Sequence, residues 1–255
     1  MKRRFENKVA LITGAGNGIA RECCLQFVRE GARLAAIDTD KEALGDLIRQ
    51  LGGHSESIFP LVADALDEAS VAQAVKAVVN RFGTLDILVN GVGGSTIHGQ
   101  TSQLLERMSY ADFLELLRFN LSGTFLFCRE VIPIMKGKGD GRIVNISSIA
   151  ARGTARSNAA YSAAKAGVSS LTVKLANELA PYGIRCNAVA PGLTMTGRMK
   201  SALSSATPEE LENRLRDVPL GRFATAAEQA SVICFLASDE ASFITGSTLF
   251  VTGGA

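Results

Sequence analysis

The segment Tyr161-Ser162-Ala163-Ala164-Lys165 opens a stretch of helical pattern, so a phenol and an ammonium lie one turn apart on one face. A free phenol titrates near 10. It becomes a base at neutral pH only where positive charge favours phenolate, and moving it to about 7 takes roughly 4 kcal/mol. Pairs at this spacing also occur in ordinary packing, so the context decides. Upstream, the β-patterned run Gly141–Ser148 ends in two hydroxyls, the second of them thirteen residues before Tyr161. Ligands of a parallel sheet bind at the carboxyl ends of its strands, where such a hydroxyl and a Tyr–Lys helix would face one crevice. Adjacent residues on a strand point to opposite faces, and the spacing favours Ser148 over Ser147.

A second constellation lies near the amino end. A short apolar run closes in Thr13-Gly14-Ala15-Gly16-Asn17-Gly18-Ile19-Ala20, after which a helix begins. Glycines there let the backbone turn tightly and let a pyrophosphate approach the unpaired N–H groups of a helix start. The usual GxGxxG spacing is not met, because Ile19 stands at the last glycine position. The next apolar run ends in Asp38, twenty residues beyond Gly18, where a carboxylate accepts hydrogen bonds from the adenosine ribose hydroxyls. It would repel a 2′-phosphate, so NAD is expected rather than NADP. No arginine stands at Asn17 or Thr39 to reverse this, although Arg21 and Arg33 are near.

These residues need a frame. Short β-branched runs recur at Val9–Thr13, Leu34–Ile37, Ile58–Val62, Leu85–Val89, Ile143–Ile146, Ile184–Val189 and Thr248–Val251, mostly apolar throughout. That is the signature of parallel strands buried on both faces. Between them lie helical patterns, such as Val71, Val75, Val78 and Val79 with Gln73, Lys76 and Asn80 opposite. Alternation from end to end, with no linker and no repeat, predicts one α/β domain with a parallel sheet. The exception is the polar stretch from Thr194 to Arg222, in which Thr207-Pro208-Glu209-Glu210 reads as a helix start. It is either a lid over a pocket or an ordinary surface loop.

The 255 residues carry 27 basic and 25 acidic side chains, a balance that gives no reason to expect nucleic acid or an anionic membrane as partner. No apolar run reaches the roughly 18–20 residues of a membrane span, and Val9–Ile12 is too short for a leader's apolar core, so a cytoplasmic location is expected. Five cysteines, Cys23, Cys24, Cys128, Cys186 and Cys234, show no paired spacing, and His54 and His98 are the only histidines. Neither a disulfide framework nor a metal site is expected. Gly93-Gly94-Ser95-Thr96 lacks the second glycine of a nucleophile elbow, which removes a hydrolase reading.

Taken with their order and spacing, these motifs resemble the short-chain dehydrogenase/reductase family along the whole chain. The resemblance implies a Rossmann-like, doubly wound fold of about seven parallel strands with helices on both faces. It implies a cofactor loop at Gly14, Asn17, Gly18 and Ile19. Asp64 and Ala65 match the adenine-contacting turn after the third strand, and Asn90 and Gly91 the fourth-strand turn. Pro191, Gly192, Thr194 and Thr196 match the turn that holds the nicotinamide carboxamide. Asn120, Ser148, Tyr161 and Lys165 match the catalytic tetrad. Two positions depart from the pattern: Ala20 stands at the loop's last glycine, and Gly91 where the family usually has a second asparagine. The methyl is expected to be tolerated, whereas Gly91 forgoes side-chain bonds and implies weaker cofactor binding.

On this resemblance Tyr161 is the base that takes the alcohol proton while hydride leaves for the nicotinamide. Lys165 and the positive charge of the oxidised nicotinamide together lower its pKa, Lys165 also binds the nicotinamide ribose, Ser148 binds the substrate oxygen, and Asn120 holds a proton-relaying water. A secondary alcohol or ketone is the implied substrate and a homotetramer the implied assembly, built through Phe125–Ile134, Tyr161–Ala180 and the carboxyl tail. A 3-ketoacyl thioester or a sugar remains open as substrate, and a non-catalytic NAD-binding regulator is the alternative from another class. Arg152, Arg156 and Arg198 either clamp an anionic substrate or are solvated or subunit contacts. The stretches Asn90–Gly94 and Ser148–Gly153 look similar to some cis-diol carboxylate dehydrogenases of the family.

Overall fold

The computed structural model describes residues 3–52, 56–95, 104–153 and 157–255; His54, His98 and Arg156 lie outside the described residues. Seven parallel strands form one sheet: β1 (Val9–Thr13), β2 (Arg33–Asp38), β3 (Ile58–Val62), β4 (Ile87–Asn90), β5 (Gly141–Ile146), β6 (Ile184–Pro191) and, beyond a two-residue pair described below, β9 (Thr248–Val251). Their order is β3-β2-β1-β4-β5-β6-β9. The chain winds outward from β1 to β3, then returns to lay β4 on the other side of β1. That reversal opens a crevice at the carboxyl ends of β1 and β4.

The strands are apolar throughout because each feeds two cores. Ala10 and Ile12 of β1 pack on one face with α1 (Gly18–Arg29), α2 (Lys41–Gln50) and α9 (Ala226–Ala237). Val9 and Leu11 pack on the other with α3 (Glu68–Phe82), α5 (Gly123–Lys138) and α6 (Ala159–Leu179). Val71, Val75 and Val78 are buried in α3, as their period required, while Val79, at the margin of that face, is half-buried.

Between α4 (Tyr110–Leu117) and α5 the helix widens to π geometry at Arg118–Ser122, with Asn120 buried at its centre. Such one-turn π segments free backbone groups for side-chain partners and frequently occur at functional sites. The stretch after β6 forms a two-residue pair, β7 (Thr194–Met195) with β8 (Ala224–Thr225). It encloses α7 (Gly197–Ala202) and α8 (Pro208–Leu215), and α8 starts at Thr207 with a capping box to Glu210.

The two ends of the sheet carry different work. At the amino ends, Asp86 accepts the Val9 N–H at 2.7 Å, and Arg142 bridges Asp140 and Asp239 at 2.7 Å each. Arg185 donates to the carbonyls of Leu236 and Ser238, the last turn of α9 and the residue after it. The carboxyl ends hold the residues whose chemistry the sequence singled out.

Candidate active site

Tyr161 owes its position to a cap. Asn158 begins α6, its Oδ1 accepting the Tyr161 N–H at 2.8 Å and its Nδ2 donating to Ser95 O at 3.3 Å, so the first turn is fixed to the loop after β4. At the end of β5, Ser148 presents its hydroxyl to the Tyr161 phenol. Ser147 turns the opposite way, into α6, where its hydroxyl bonds Lys165 O at 2.9 Å and Ser169 Oγ at 2.8 Å. The two serines therefore divide: one faces the crevice, the other fastens the helix.

Lys165 is buried, and its ammonium donates to Ile146 O at 2.8 Å while lying 5.9 Å from the Tyr161 ring centre. Burial, unopposed by any carboxylate, lowers it from an ordinary 10.5 to about 8. Asn120 closes the other side, its amide exchanging two bonds with the Gly94 backbone, at 2.8 Å and 3.0 Å, and donating to Leu116 O at 3.0 Å. Asn120 and Lys165 meet over Gly93. A Cβ there would stand 2.7 Å from Asn120 Oδ1 and 3.0 Å from Lys165 Nζ, and its φ of +148° would strain any side chain.

The electrostatics differ in one respect from the sequence expectation. Burial pushes the Tyr161 phenol above its ordinary value, against the opposing influence of the Ser148 hydroxyl and the Arg198 charge. The Lys165 ammonium, 5.9 Å from the ring centre, donates to the Ile146 carbonyl.

The glycine loop sits at the sheet reversal. Gly14 and Gly18 take φ values of +69° and +59°, and a Cβ on Gly14 would press on the Gly91 backbone at 3.1 Å. Asn17 precedes α1 without a side-chain cap, and Ile19 lies in its first turn. Asp38 accepts the N–H groups of Gly16 at 2.8 Å and Asp40 at 3.0 Å, which fixes its carboxylate beside the loop. Arg21 is spent on Gly16 O, Ala43 O and Gln50, and Arg33 lies over Phe82. Asp64 is exposed at the carboxyl end of β3, its side chain accepting the Leu66 N–H at 2.8 Å, with Ala65 buried beside it.

Asn90 is placed differently from the other cofactor-loop residues. Its side chain is buried in the sheet, donating to Asn145 Oδ1 at 2.9 Å and to Cys128 Sγ at 3.4 Å, so it links β4 to β5 instead of lining the crevice. Past Pro191, Thr194 Oγ1 donates to Gly192 O at 3.0 Å, and the buried Gln229 of α9 donates to Thr194 and to Val251 O. Thr196 caps α7 and stands over Gly18. Gln229, Asn158, Gly93 and Gly94 were not singled out from sequence for this crevice; only the cap type of Asn158, before a helical run, signals its role locally.

Among the described residues no three histidine, cysteine, aspartate or glutamate side chains lie together as a metal site, and no helix is long and apolar enough to cross a membrane. All five cysteines are buried thiols, and burial raises that of Cys128 to about 12.

With this geometry in view, the relatives are informative. Residues 14–255 match a family model described as enoyl-(acyl carrier protein) reductase. The chain is 38% identical over 252 residues to a 3-oxoacyl-[acyl-carrier-protein] reductase of Thermotoga maritima, covering 98% of each. It is 40% identical over 263 residues to 1,6-dihydroxycyclohexa-2,4-diene-1-carboxylate dehydrogenase of Pseudomonas putida, covering all of this chain and 94% of that one. A solved 7α-hydroxysteroid dehydrogenase in complex with NADH and 7-oxo glycochenodeoxycholic acid superposes with a TM-score of 0.89 at 31% identity, covering 100% of this chain and 96% of that one. The chain belongs to the short-chain dehydrogenase/reductase family. It is an oxidoreductase acting on a CH–OH group or its carbonyl, with a nicotinamide cofactor, NAD or NADP.

The two departures from the family pattern prove to be neighbours. A Cβ on Gly91 would press on the Thr13 carbonyl oxygen and lie 2.7 Å from the Ala20 methyl, so the β1 backbone and that methyl together exclude a side chain at 91. Overpacking of this kind costs about 1–3 kcal/mol. Gly91→Ala is expected to lower the urea midpoint, and Ala20→Gly in the same chain to recover only a small part of the loss, because the Thr13 carbonyl still crowds the new methyl, measured as a double-mutant cycle. Strict additivity would show that the two positions do not compensate.

Proposed function

We propose that the protein interconverts a secondary alcohol and a ketone with NAD as cofactor, Tyr161 acting as general acid/base. The observation that carries this reading is the convergence of the Tyr161 phenol, the Ser148 hydroxyl and the buried Lys165 ammonium at the carboxyl end of β5. Ser148 hydrogen-bonds the substrate oxygen and aligns it with the phenol. Tyr161 takes the hydroxyl proton in oxidation and returns it in reduction. Lys165 binds the nicotinamide ribose and holds positive charge beside the phenol. Asn120, anchored on Gly94, seats a water through which the proton reaches solvent.

The described residues fit the cofactor. Gly14, Asn17, Gly18 and Ile19 would form the pyrophosphate turn, Asp64 and Ala65 would contact the adenine, and Asn90 and Gly91 belong to the turn after β4 that would border it. The turn from Pro191 and Gly192 through Thr194 to Thr196 receives the carboxamide. When bound, the nicotinamide accepts or returns the hydride and, in its oxidised form, adds the positive charge that Tyr161 still needs. Asp38 supports NAD: its two backbone bonds leave lone pairs for two ribose hydroxyls, and the nearest arginines are occupied elsewhere.

The excursion from residue 194 to 222, closed at its base by β7 and β8, serves as substrate lid in this reading. The similarity to the acyl-carrier-protein reductase supports a 3-ketoacyl thioester as the second candidate substrate. The presence of all four tetrad residues weighs against a regulator that binds NAD without turnover.

NADH formation across secondary alcohols, cis-diols, sugars and hydroxy acids should be detectable with the wild type and fall by at least about 10³-fold in Tyr161→Phe, as expected when the proton-transfer group is lost. NADP run beside NAD should be the poorer cofactor; a preference for NADP would overturn the role given to Asp38.

A homotetramer is the assembly we propose. Phe125 of α5, Val173 of α6 and Phe243 of the carboxyl tail expose large apolar surfaces on the expected interface elements. Light scattering at micromolar concentration should give the mass of four chains; a monomer mass would contradict this.

A further inference from the structure

We infer that Arg198 is the substrate's anion receptor, so that the alcohol or ketone taken by this site carries a carboxylate. The inference deepens the dehydrogenase reading above and rests on it for the identity of the reacting group, but the binding it describes can be measured without turnover.

Three arginines near the crevice were candidates from sequence, and the structure separates two of them. Arg152 is engaged by the tail: its guanidinium lies 3.7 Å from the Phe250 ring centre and donates to Ala255 O at 3.4 Å. Arg198, in the first turn of α7, extends to the backbone of Gly94, the residue that holds Asn120. A Cβ built on Gly94 would overlap its Nη1 and stand 3.1 Å from its Cζ. Gly94, unlike Gly93, has no left-handed φ to demand glycine. Its missing side chain is what admits the guanidinium.

The placement is held on the amino-terminal side of Arg198. Thr196 caps α7, and the strand before it pairs with Ala224–Thr225. The Arg198 charge is close enough to Tyr161 to favour its phenolate. No carboxylate forms an ion pair with Arg198 or with Lys165 among the described residues, and the segments outside them contain no aspartate or glutamate. The Arg198 guanidinium therefore stands near the phenol with no ion-paired carboxylate among the described residues. A guanidinium offers two parallel N–H groups to one carboxylate, and one such fork matches one singly charged group.

The test compares ligands that differ only in charge. Benzoate and benzamide are titrated calorimetrically into the protein with NADH, using wild type, Arg198→Gln, Arg198→Lys and Gly94→Ala. Wild type should favour benzoate. Arg198→Gln should reduce the benzoate-to-benzamide affinity ratio by about 30-fold, the size of one charge-assisted hydrogen-bond pair. Arg198→Lys should restore part of the ratio, and Gly94→Ala should lower it by displacing the guanidinium with its charge intact. A wild-type ratio near one, undetectable benzoate binding, or a ratio unmoved by Arg198→Gln would overturn the assignment. Loss of the dehydrogenase reading looks different: no NADH formation from any substrate alongside an intact benzoate preference.

Discussion

An ammonium group sealed from water, with a single carbonyl to hold it, governs the arrangement of this crevice. Lys165 is buried beneath the loop after β4, and lowering its pKa from 10.5 to about 8 corresponds to roughly 3 kcal/mol of native-state penalty at pH 7. Nothing in the packing of α6 requires a charge there; a methionine would fill the same stem. The surrounding structure is arranged to keep the charge in place. Ile146 O accepts one hydrogen bond from the ammonium, Ser147 fastens the Lys165 backbone, and Gly93 leaves room for both the ammonium and Asn120.

From that constraint the rest of the site follows in sequence. Because α6 must enter with Tyr161 in its first turn, Asn158 caps it and simultaneously ties it to Ser95. Because β5 must end where the phenol stands, its last two hydroxyls divide between helix and crevice. Because Asn120 must reach the β4 loop from a helix otherwise packed on the sheet, the helix widens to π geometry at that residue. Burial leaves the Tyr161 phenol above its ordinary pKa, against the Ser148 hydroxyl and the Arg198 charge.

The strands were legible in the sequence because burial on both faces makes them apolar throughout, and that pattern does not depend on their neighbours. Ile58–Val62 and Thr248–Val251 have the expected limits, whereas β4 starts two residues later than the run suggested, since Leu85 packs in the core before pairing begins. The Tyr–Lys pair and Ser148 were legible because helix period and strand alternation are local rules. The contacts that were not legible join positions far apart in the chain. Gly94 with Arg198, Ala20 with Gly91, and Gln229 with Thr194 each depend on how loops from different crossovers meet over the crevice. The inward turn of Asn90 was hidden for the same reason, since its partner Asn145 lies on the neighbouring strand.

The most direct measurement is the thermal stability of Lys165→Met against wild type as a function of pH, with turnover measured on the same preparations. The folded-state pKa is depressed, so the unfolded chain binds more protons between pH 8 and 10.5, and the penalty on wild type fades as pH rises through that window. Lys165→Met should be inactive and more stable at pH 7 by about 1–3 kcal/mol, allowing for the lost bond to Ile146, or several degrees in Tm, with the advantage shrinking above pH 8. A variant less stable than wild type at pH 7, or a difference that does not change with pH, would contradict it.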